Sequence, residues 1–560
     1  MHMRSHRLIR IVVPVLATGL MLSGCNASED GAVGAGATGL GNTSDINPKD
    51  PAELRDGGNL RLALSGFPAQ FNPLQVDSDG EASSVATIML PGDMTPDASG
   101  ALSVRHDYFT DVQLTGTDPQ QVSYTINPKA NWSDGTPITW EDLAAQANAL
   151  SGRDPGYLIT ANAGFDRVAK VERGTDDRQA IVTYSKHYAE WQGSFSPLLP
   201  KSVTSTPEAF NDSLRNGLPV TAGPFKLASV DKGANRIVLE RDPAWWGTPP
   251  KLDTITFTVL NHAAQLAGLQ NNELDAVELG SSLDEVKTAQ GSAGIQVRHA
   301  PANRWSQYTF NGAPGALLAD PKLRVAIGKA IDRQGIATAI LNGLVTDPHP
   351  LNNHIFLEGQ QGYQDNAEPI GYDPDKAARE LDALGWTPGS DGIREKDGRK
   401  LVLRHVMYQQ DTWVRSAQIA QQNLAKVGVK TEIQTFPGTG LFTDVIDPGN
   451  FELASFSWSG GFQPLAALRQ IYAYYPDDLQ SNKARIGSPE LNQLIEDTLS
   501  ELDPAKAIQM ANRADRMIFE EGHSIPLTQS AGNVAVRDNL ANYGAFGLAG
   551  ADYTEVGFTK

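Results

Sequence analysis

A single cysteine, Cys25, stands in 560 residues. An internal disulfide is therefore excluded, and so is any site built from several thiolates. Catalytic signatures are missing too: there is no Gly-x-Ser-x-Gly elbow, no His-Glu-x-x-His, no Gly-Lys-Ser/Thr phosphate loop and no cysteine nucleophile. Positive charge is scarce, with 46 Lys and Arg against 65 Asp and Glu and a net charge of −19. That balance excludes the basic footprint of a nucleic-acid binder and a polybasic membrane patch. A membrane-spanning run is absent as well. The longest apolar stretch, Ile11 to Leu22, reaches about 18 Å as a helix against the roughly 30 Å of a hydrocarbon core.

That short stretch is informative for what surrounds it. Arg4, Arg7 and Arg10 precede it, and Leu22-Ser23-Gly24-Cys25 ends it. The pattern is a lipoprotein signal peptide over 1–24 closing on a lipobox, and Cys25 is the expected lipidation site. Removing 1–24 takes away three arginines and no acid, so −19 becomes −22. From Asn26 the chain is Gly, Ala, Ser, Thr, Asn and Asp with few large apolar residues, so 25–56 is expected to be a flexible tether. Within it, Gly34-Ala-Gly36-Ala-Thr-Gly39 matches a dinucleotide fingerprint but has no strand before it and no helix after it, and is rejected. The remaining 500 or so residues are too many for one core and predict two or more lobes.

Alternating apolar and polar residues predict strands at Asn59 to Leu64, Gln121 to Ile126 and Ile255 to Val259. Helical periodicity predicts helices over Pro321 to Leu341, Asp373 to Leu384, Val414 to Val427 with Gly428 as its cap, and Ser488 to Phe519 pausing at Asp503-Pro504. Thr139 and Asp142 form a candidate capping box after an Asp134-Gly135 turn. Helix-then-strand units of this kind build mixed α/β lobes.

Six ordered motifs then carry a resemblance: Trp132-Ser-Asp-Gly-Thr-Pro, Ala222-Gly-Pro-Phe, Glu240-Arg-Asp-Pro-Ala-Trp-Trp-Gly, Asn272-Glu-Leu-Asp275, Asp320-Pro-Lys-Leu-Arg324 through Asp332-Arg333, and Tyr372-Asp-Pro-Asp-Lys-Ala. In this order they resemble the family 5 extracellular solute-binding proteins, the oligopeptide- and dipeptide-binding components of ABC importers. Thr43-Ser-Asp-Ile-Asn47 and Gly57-Gly-Asn-Leu-Arg-Leu62 look closest to the OppA-type oligopeptide-binding lipoproteins of mycobacteria. The resemblance implies an α/β, two-lobed periplasmic-binding-protein-like fold with a discontinuous first lobe (57–91, 219–303 and 526–560), an accessory subdomain (92–218) and a second lobe (304–525). Crossings at Asn303–Trp305 and Ser524–Pro526 would form the hinge.

A peptide taken from water needs partners for its main-chain groups, so a general peptide receptor should offer strand edges. Two small-residue segments are candidates, Ser65-Gly66-Phe67 and Ser455 to Gly461, with Ser455, Ser457, Trp458, Ser459, Gly460 and Gly461 as expected ligand contacts and the Trp458 ring facing the cleft. Peptide-binding relatives carry Trp-x-x-Asp at the second segment, where the aspartate pairs with the ligand's ammonium. Here Gly461 takes its place. Either another acid substitutes, or the ligand is longer, blocked or not an ordinary peptide.

The ten histidines are scattered, and His349 and His354 read as solvent-exposed loop residues rather than metal ligands. No metal, cofactor or catalysis is expected. The resemblance implies a monomer, lipid-anchored on the extracytoplasmic face of the cell membrane, whose partners are a peptide ligand, ABC permease subunits and, through them, an ATPase. A tethered envelope sensor or scaffold on the same fold is the alternative.

Overall fold

Leucines at every second position dictate the strand Asn59–Leu64: Leu60, Leu62 and Leu64 are buried while the residues between them are not. The strand lies parallel to Thr254–Val259, which continues antiparallel through Arg236–Arg241 to Phe225–Asp231, forming a four-stranded sheet. The computed structural model that shows this describes residues 43–162, 164–437 and 440–560, all within one compact unit. The expected signal peptide, Cys25 and the part of the expected tether up to residue 42 lie outside the described residues. Among the described residues no helix is long and apolar enough to cross a membrane.

Residues 43–56, the described part of the expected tether, are held by tertiary contacts. Asp45 bridges to Ala545 and accepts from Arg298 and the His299 N–H, Lys49 donates its N–H to Asn542, and Leu54 is 2% exposed beside Thr559. Residues 43–56 are thus docked on the C-terminal segment. Polar side chains with tertiary partners look the same in sequence as polar side chains without them.

A second sheet is antiparallel, in the order Phe109–Thr117, Gln120–Ile126, Gln179–Tyr184, Val168–Arg173, and is backed by helix Trp140–Ala149. The Asp142 carboxylate accepts the Thr139 N–H at 2.8 Å, as the capping box requires. Its core does not stop at its own boundary. It runs into helices Ala466–Tyr472, Pro489–Ser500 and Pro504–Glu520, so the accessory region and these helices share one hydrophobic cluster.

The third sheet has six strands, in the order Ala276–Glu278, Ser524–Arg537, Ile295–Phe310, Leu453–Ser459, Val402–Tyr408, Lys430–Phe436. Its two longest strands, Ile295–Phe310 and Ser524–Arg537, pair antiparallel along most of their length. The ladder breaks between Pro301↔Ala531 and Trp305↔Gln529, leaving Ala302, Asn303 and Arg304 opposite Ser530 alone. A bulge of this kind bends and twists a ribbon locally. The first expected crossing, Asn303–Trp305, falls on it. The second does not: Ser524 pairs with Thr309 and Pro526 with Gln307, inside the strand, where a second register shift at Ser306/Gln307 accommodates the proline.

The motifs acquire reasons. A Cβ on Gly223 would lie 2.4 Å from the Ile88 carbonyl oxygen and 2.7 Å from Met89 Cα, so Ala222-Gly-Pro-Phe marks a close backbone approach. Arg324, 3% exposed, donates to the carbonyls of Leu318, Ala319, Glu521 and Gly522, and burial pushes its guanidinium down to about 10. It splices the start of its helix to the turn before Ser524. Trp245 and Trp246 pack on Tyr108 and donate to the Thr248 and Asp107 carbonyls. The helix expected over 321–341 is two, Pro321–Lys329 and Arg333–Leu341, because Asp332 caps the second through the Gly335 N–H.

Candidate ligand-binding cleft

Strand Leu453–Ser459 is paired with Ile295–Phe310 along its whole length, from Leu453↔Phe310 to Ser459↔Arg304. On its other side Val402–Tyr408 pairs only with Leu453 and Ala454. From Ser455 onward the strand therefore has one edge that no strand covers among the described residues. Where it ends, a cavity of about 900 Å³ opens between the segment Ser459 to Tyr472 and the accessory residues Ile159 to Arg167 with Tyr188. That volume lies within the roughly 300–1,000 Å³ of ordinary ligand pockets.

Of the expected contacts, Ser459, Gly460 and Gly461 line this cavity. The other six do not. Ser455 is fully buried, with its hydroxyl 2.6 Å from His405 Nε2, and leaves the set of candidate contacts. Burial pushes His405 down to about 3 and keeps it neutral there. Ser457 is half-buried opposite Ser306. Serines 455, 457 and 459 share a face, and their exposure rises as the strand leaves the core. Trp458 also departs from expectation. Its ring packs edge-on to Phe456 at 5.5 Å, its Nε1 is out of contact with solvent, and it touches three hydrophobic clusters. The tryptophan that does line the cavity is its cross-strand partner Trp305. Ser65 donates its N–H to Glu81, Gly66 faces open space, and Phe67 rests on the core of the four-stranded sheet.

Backbone contacts position the glycines. The Gly460 N–H donates to the Asn303 carbonyl, Asn303 Nδ2 returns a bond to the Gly460 carbonyl at 3.2 Å, and Gln360 Nε2 donates to the Gly461 carbonyl at 3.1 Å. The cleft segment is thereby fastened to the bulge in the long strands. A Cβ on Gly460 would meet Leu357 and Trp305 at 3.1 and 3.3 Å, whereas one on Gly461 would meet only the Gln463 N at 3.9 Å.

Opposite charges close one wall. Glu496 takes Arg167 at 2.9 Å and Lys186 at 2.5 Å, and Arg469 lies 3.2 Å from Asp166 and 3.6 Å from Glu496. Burial by itself would raise Glu496, but the Lys186 hydrogen bond and the Arg167 and Arg469 charges outweigh it and hold the carboxyl below its usual range. His354 overturns its expected exposure. It is 2% exposed at the cavity wall, and its Nδ1 and N–H both meet Asp515 Oδ1, at 2.8 and 2.9 Å. Sequence reasoning missed His354, Tyr188, Arg167 and Arg469. Only Trp305 carried a signal, through its place at the expected hinge. Among the described residues no group of three or more His, Cys, Asp or Glu side chains is placed to hold a metal ion.

A family model for bacterial extracellular solute-binding proteins, family 5, matches residues 111–477. The oligopeptide-binding protein OppA of Mycobacterium tuberculosis is 50% identical over 553 residues, covering 97% of this chain and 93% of its own length. Among solved structures, the periplasmic EDTA-binding protein EppA superposes with a TM-score of 0.85 at 23% identity, over 94% of this chain and 100% of that one. The oligopeptide-binding protein AppA of Bacillus subtilis, in complex with a nonapeptide, gives 0.75 at 20%, over 90% and 100%. The chain belongs to the family 5 bacterial extracellular solute-binding proteins and is a binding protein of an ABC importer, with a two-lobed periplasmic-binding-protein fold, not an enzyme.

Proposed function

We propose that the chain captures oligopeptides outside the cytoplasm, closes two lobes over them and delivers them to a membrane permease, while a lipid on Cys25 keeps it at the cell membrane. The observation that carries this reading is the uncovered edge from Ser455 to Ser459 leading into a cavity of about 900 Å³. An extended ligand can pair its main chain with such an edge whatever its side chains are, and the cavity leaves room for those side chains. The 50% identity to a mycobacterial OppA supports peptides as the ligand class. Ser459, Gly460 and Gly461 make the contacts, Ser65 to Phe67 lie on the facing lobe, and the hinge lies at Ala302–Arg304 and Ser530. Mass spectrometry of molecules that co-purify with the recombinant protein tests the reading: a series of peptides is expected, and a single non-peptide ligand would overturn it.

Anchoring has its own test. Cys25→Ala should be shed into the medium with ligand affinity intact, because the cleft lies in the folded body and Cys25 precedes it. Retention in the membrane fraction would contradict the lipid anchor.

A blocked or longer ligand is favoured by one feature: position 461 has no carboxylate, and its Cβ direction is open. N-acetylation of a bound peptide should therefore cost little in wild type. Gly461→Asp should favour free over acetylated N-termini by about 1–3 kcal/mol, the range of a charge-assisted hydrogen bond. Calorimetric titration of matched peptides decides it, and a wild-type protein that already discriminates about a hundredfold must hold the ammonium with another acid.

A further inference from the structure

Behind the cavity wall formed by Gln463 and Pro464, the accessory segment Lys186 to Gly193 is pressed against the second lobe by contacts of an unusual kind. The Ala189 N–H donates to the Leu499 carbonyl at 2.8 Å. Gln463 Nε2 reaches back to the carbonyls of Glu190 and Gln192, at 3.0 and 2.6 Å. Phe462 fills the space beside Gly193, where a Cβ would lie 2.7 Å from the ring. Glu190 sits at the centre. Its Oε1 accepts the Leu465 N–H at 2.8 Å, but its Oε2 is shut off from solvent and accepts no hydrogen bond among the described residues.

A ligand cannot use this carboxyl. Glu190 does not line the cavity, and its Oε2 is shut off from solvent. It does not replace the missing aspartate. What it does is join the accessory arm to the turn that carries Gly460 and Gly461. An ionised carboxylate with one oxygen unpaired in a dry interface is costly, whereas the neutral acid is tolerated there.

We infer that Glu190 is a proton-sensitive latch that holds the accessory arm against the cleft segment and so positions Gly460 and Gly461. This regulation rests on the hinge-closing reading given above. Burial pushes the Glu190 carboxyl up to about 8, and the N–H groups of Leu465 and Ala466 pull it back only in part. In the same wall Glu496 pairs with Arg167 and Lys186 and Arg469 with Asp166, and burial together with the neighbouring Glu190 charge pushes the Tyr188 phenol well above its ordinary value. Asp93, behind the same loop, accepts from the Gly193 N–H and Ser196, and burial pushes it up to about 6. Once the arm swings free, Glu190 is solvated and returns toward its ordinary value of 4.5. Closing then takes up a proton between those limits. The closed population should fall by up to about tenfold per pH unit as pH rises toward 8, and level off above it.

Spin labels at Thr175→Cys on the accessory hairpin and Gln493→Cys on the opposing helix, in the full-length Cys25→Ala chain, read the arm's position by pulsed electron resonance without any ligand. From pH 5.5 to 8.5 the short-distance fraction should fall in the parent, while Glu190→Gln, which keeps the acceptor for Leu465 but cannot ionise, should hold it constant. Gln463→Ala should lower the fraction at every pH with the parental slope retained. A parent that does not respond to pH, or the same slope in Glu190→Gln, overturns the latch. No peptide enters this measurement, so its failure leaves the oligopeptide reading standing, and a non-peptide ligand found by mass spectrometry leaves the latch standing.

Discussion

Asp515→Ala should cost about 3–5 kcal/mol of folding stability, the range for removing one partner of a buried, hydrogen-bonded pair. Asp515 is fully buried in helix Pro504–Glu520 and is a node. Its Oδ1 accepts both the N–H and the ring Nδ1 of His354, and its Oδ2 accepts Asn366 Nδ2 at 2.7 Å. Truncation strands these donors, each left unsatisfied at about 1–3 kcal/mol, in a region that water does not reach. The loop is tied down further by Tyr472, whose hydroxyl donates to the His354 carbonyl, and by Asn512, which accepts from Asn353 and Asn366. Since His354 and Ile355 line the cavity, ligand affinity should fall with stability. Chemical denaturation measures the loss. Asp497→Ala, an exposed partner of Gln493 one turn away, is the control and should stay within about 0.5 kcal/mol. A loss below about 1 kcal/mol for Asp515→Ala would mean that the node is not what holds the loop.

Trp458→Ala should lower the stability of the free protein by about 2–4 kcal/mol, somewhat less than truncating a fully buried tryptophan because this indole is half-buried. Its contacts are with protein: Phe456 edge-on, and members of three hydrophobic clusters that meet at this strand. Trp458→Phe should be much milder, since the Nε1 that it removes has no partner among the described residues. Thermal unfolding of the two variants without ligand separates packing from stacking. Unchanged stability in Trp458→Ala with a tenfold or greater loss of affinity would restore the ring to the cleft and refute the packing role.

Much of the fold was legible because local physics is written locally. Asn59–Leu64 shows its leucines at period two. Asp373, Ser488 and Asp503 cap the helices that follow them, and Gly428, with φ of +78°, ends Asp411–Lys426 where a left-handed residue is needed. The site was legible only in part. Ser455 to Gly461 stood out as a small-residue strand end, and its last three residues line the cavity. Residue size by itself does not say where along the strand the core stops, so Ser455 and Trp458 were placed too close to solvent. His354 was read as solvent-exposed because its partner Asp515 is 161 residues away.

What the sequence by itself determined is the family, the strand and helix segments, their caps and the absence of a carboxylate at 461, all of which depend on residue type and short spacing. The tertiary structure alone decided which strand edge stays uncovered, that the bulge lies opposite Ser530, that residues 43–56 are docked, and that Glu190 faces the turn at Leu465. These are facts about pairs of segments far apart in the chain. A side chain carries its own polarity wherever it is, but its burial and its partners depend on which distant surface folds against it.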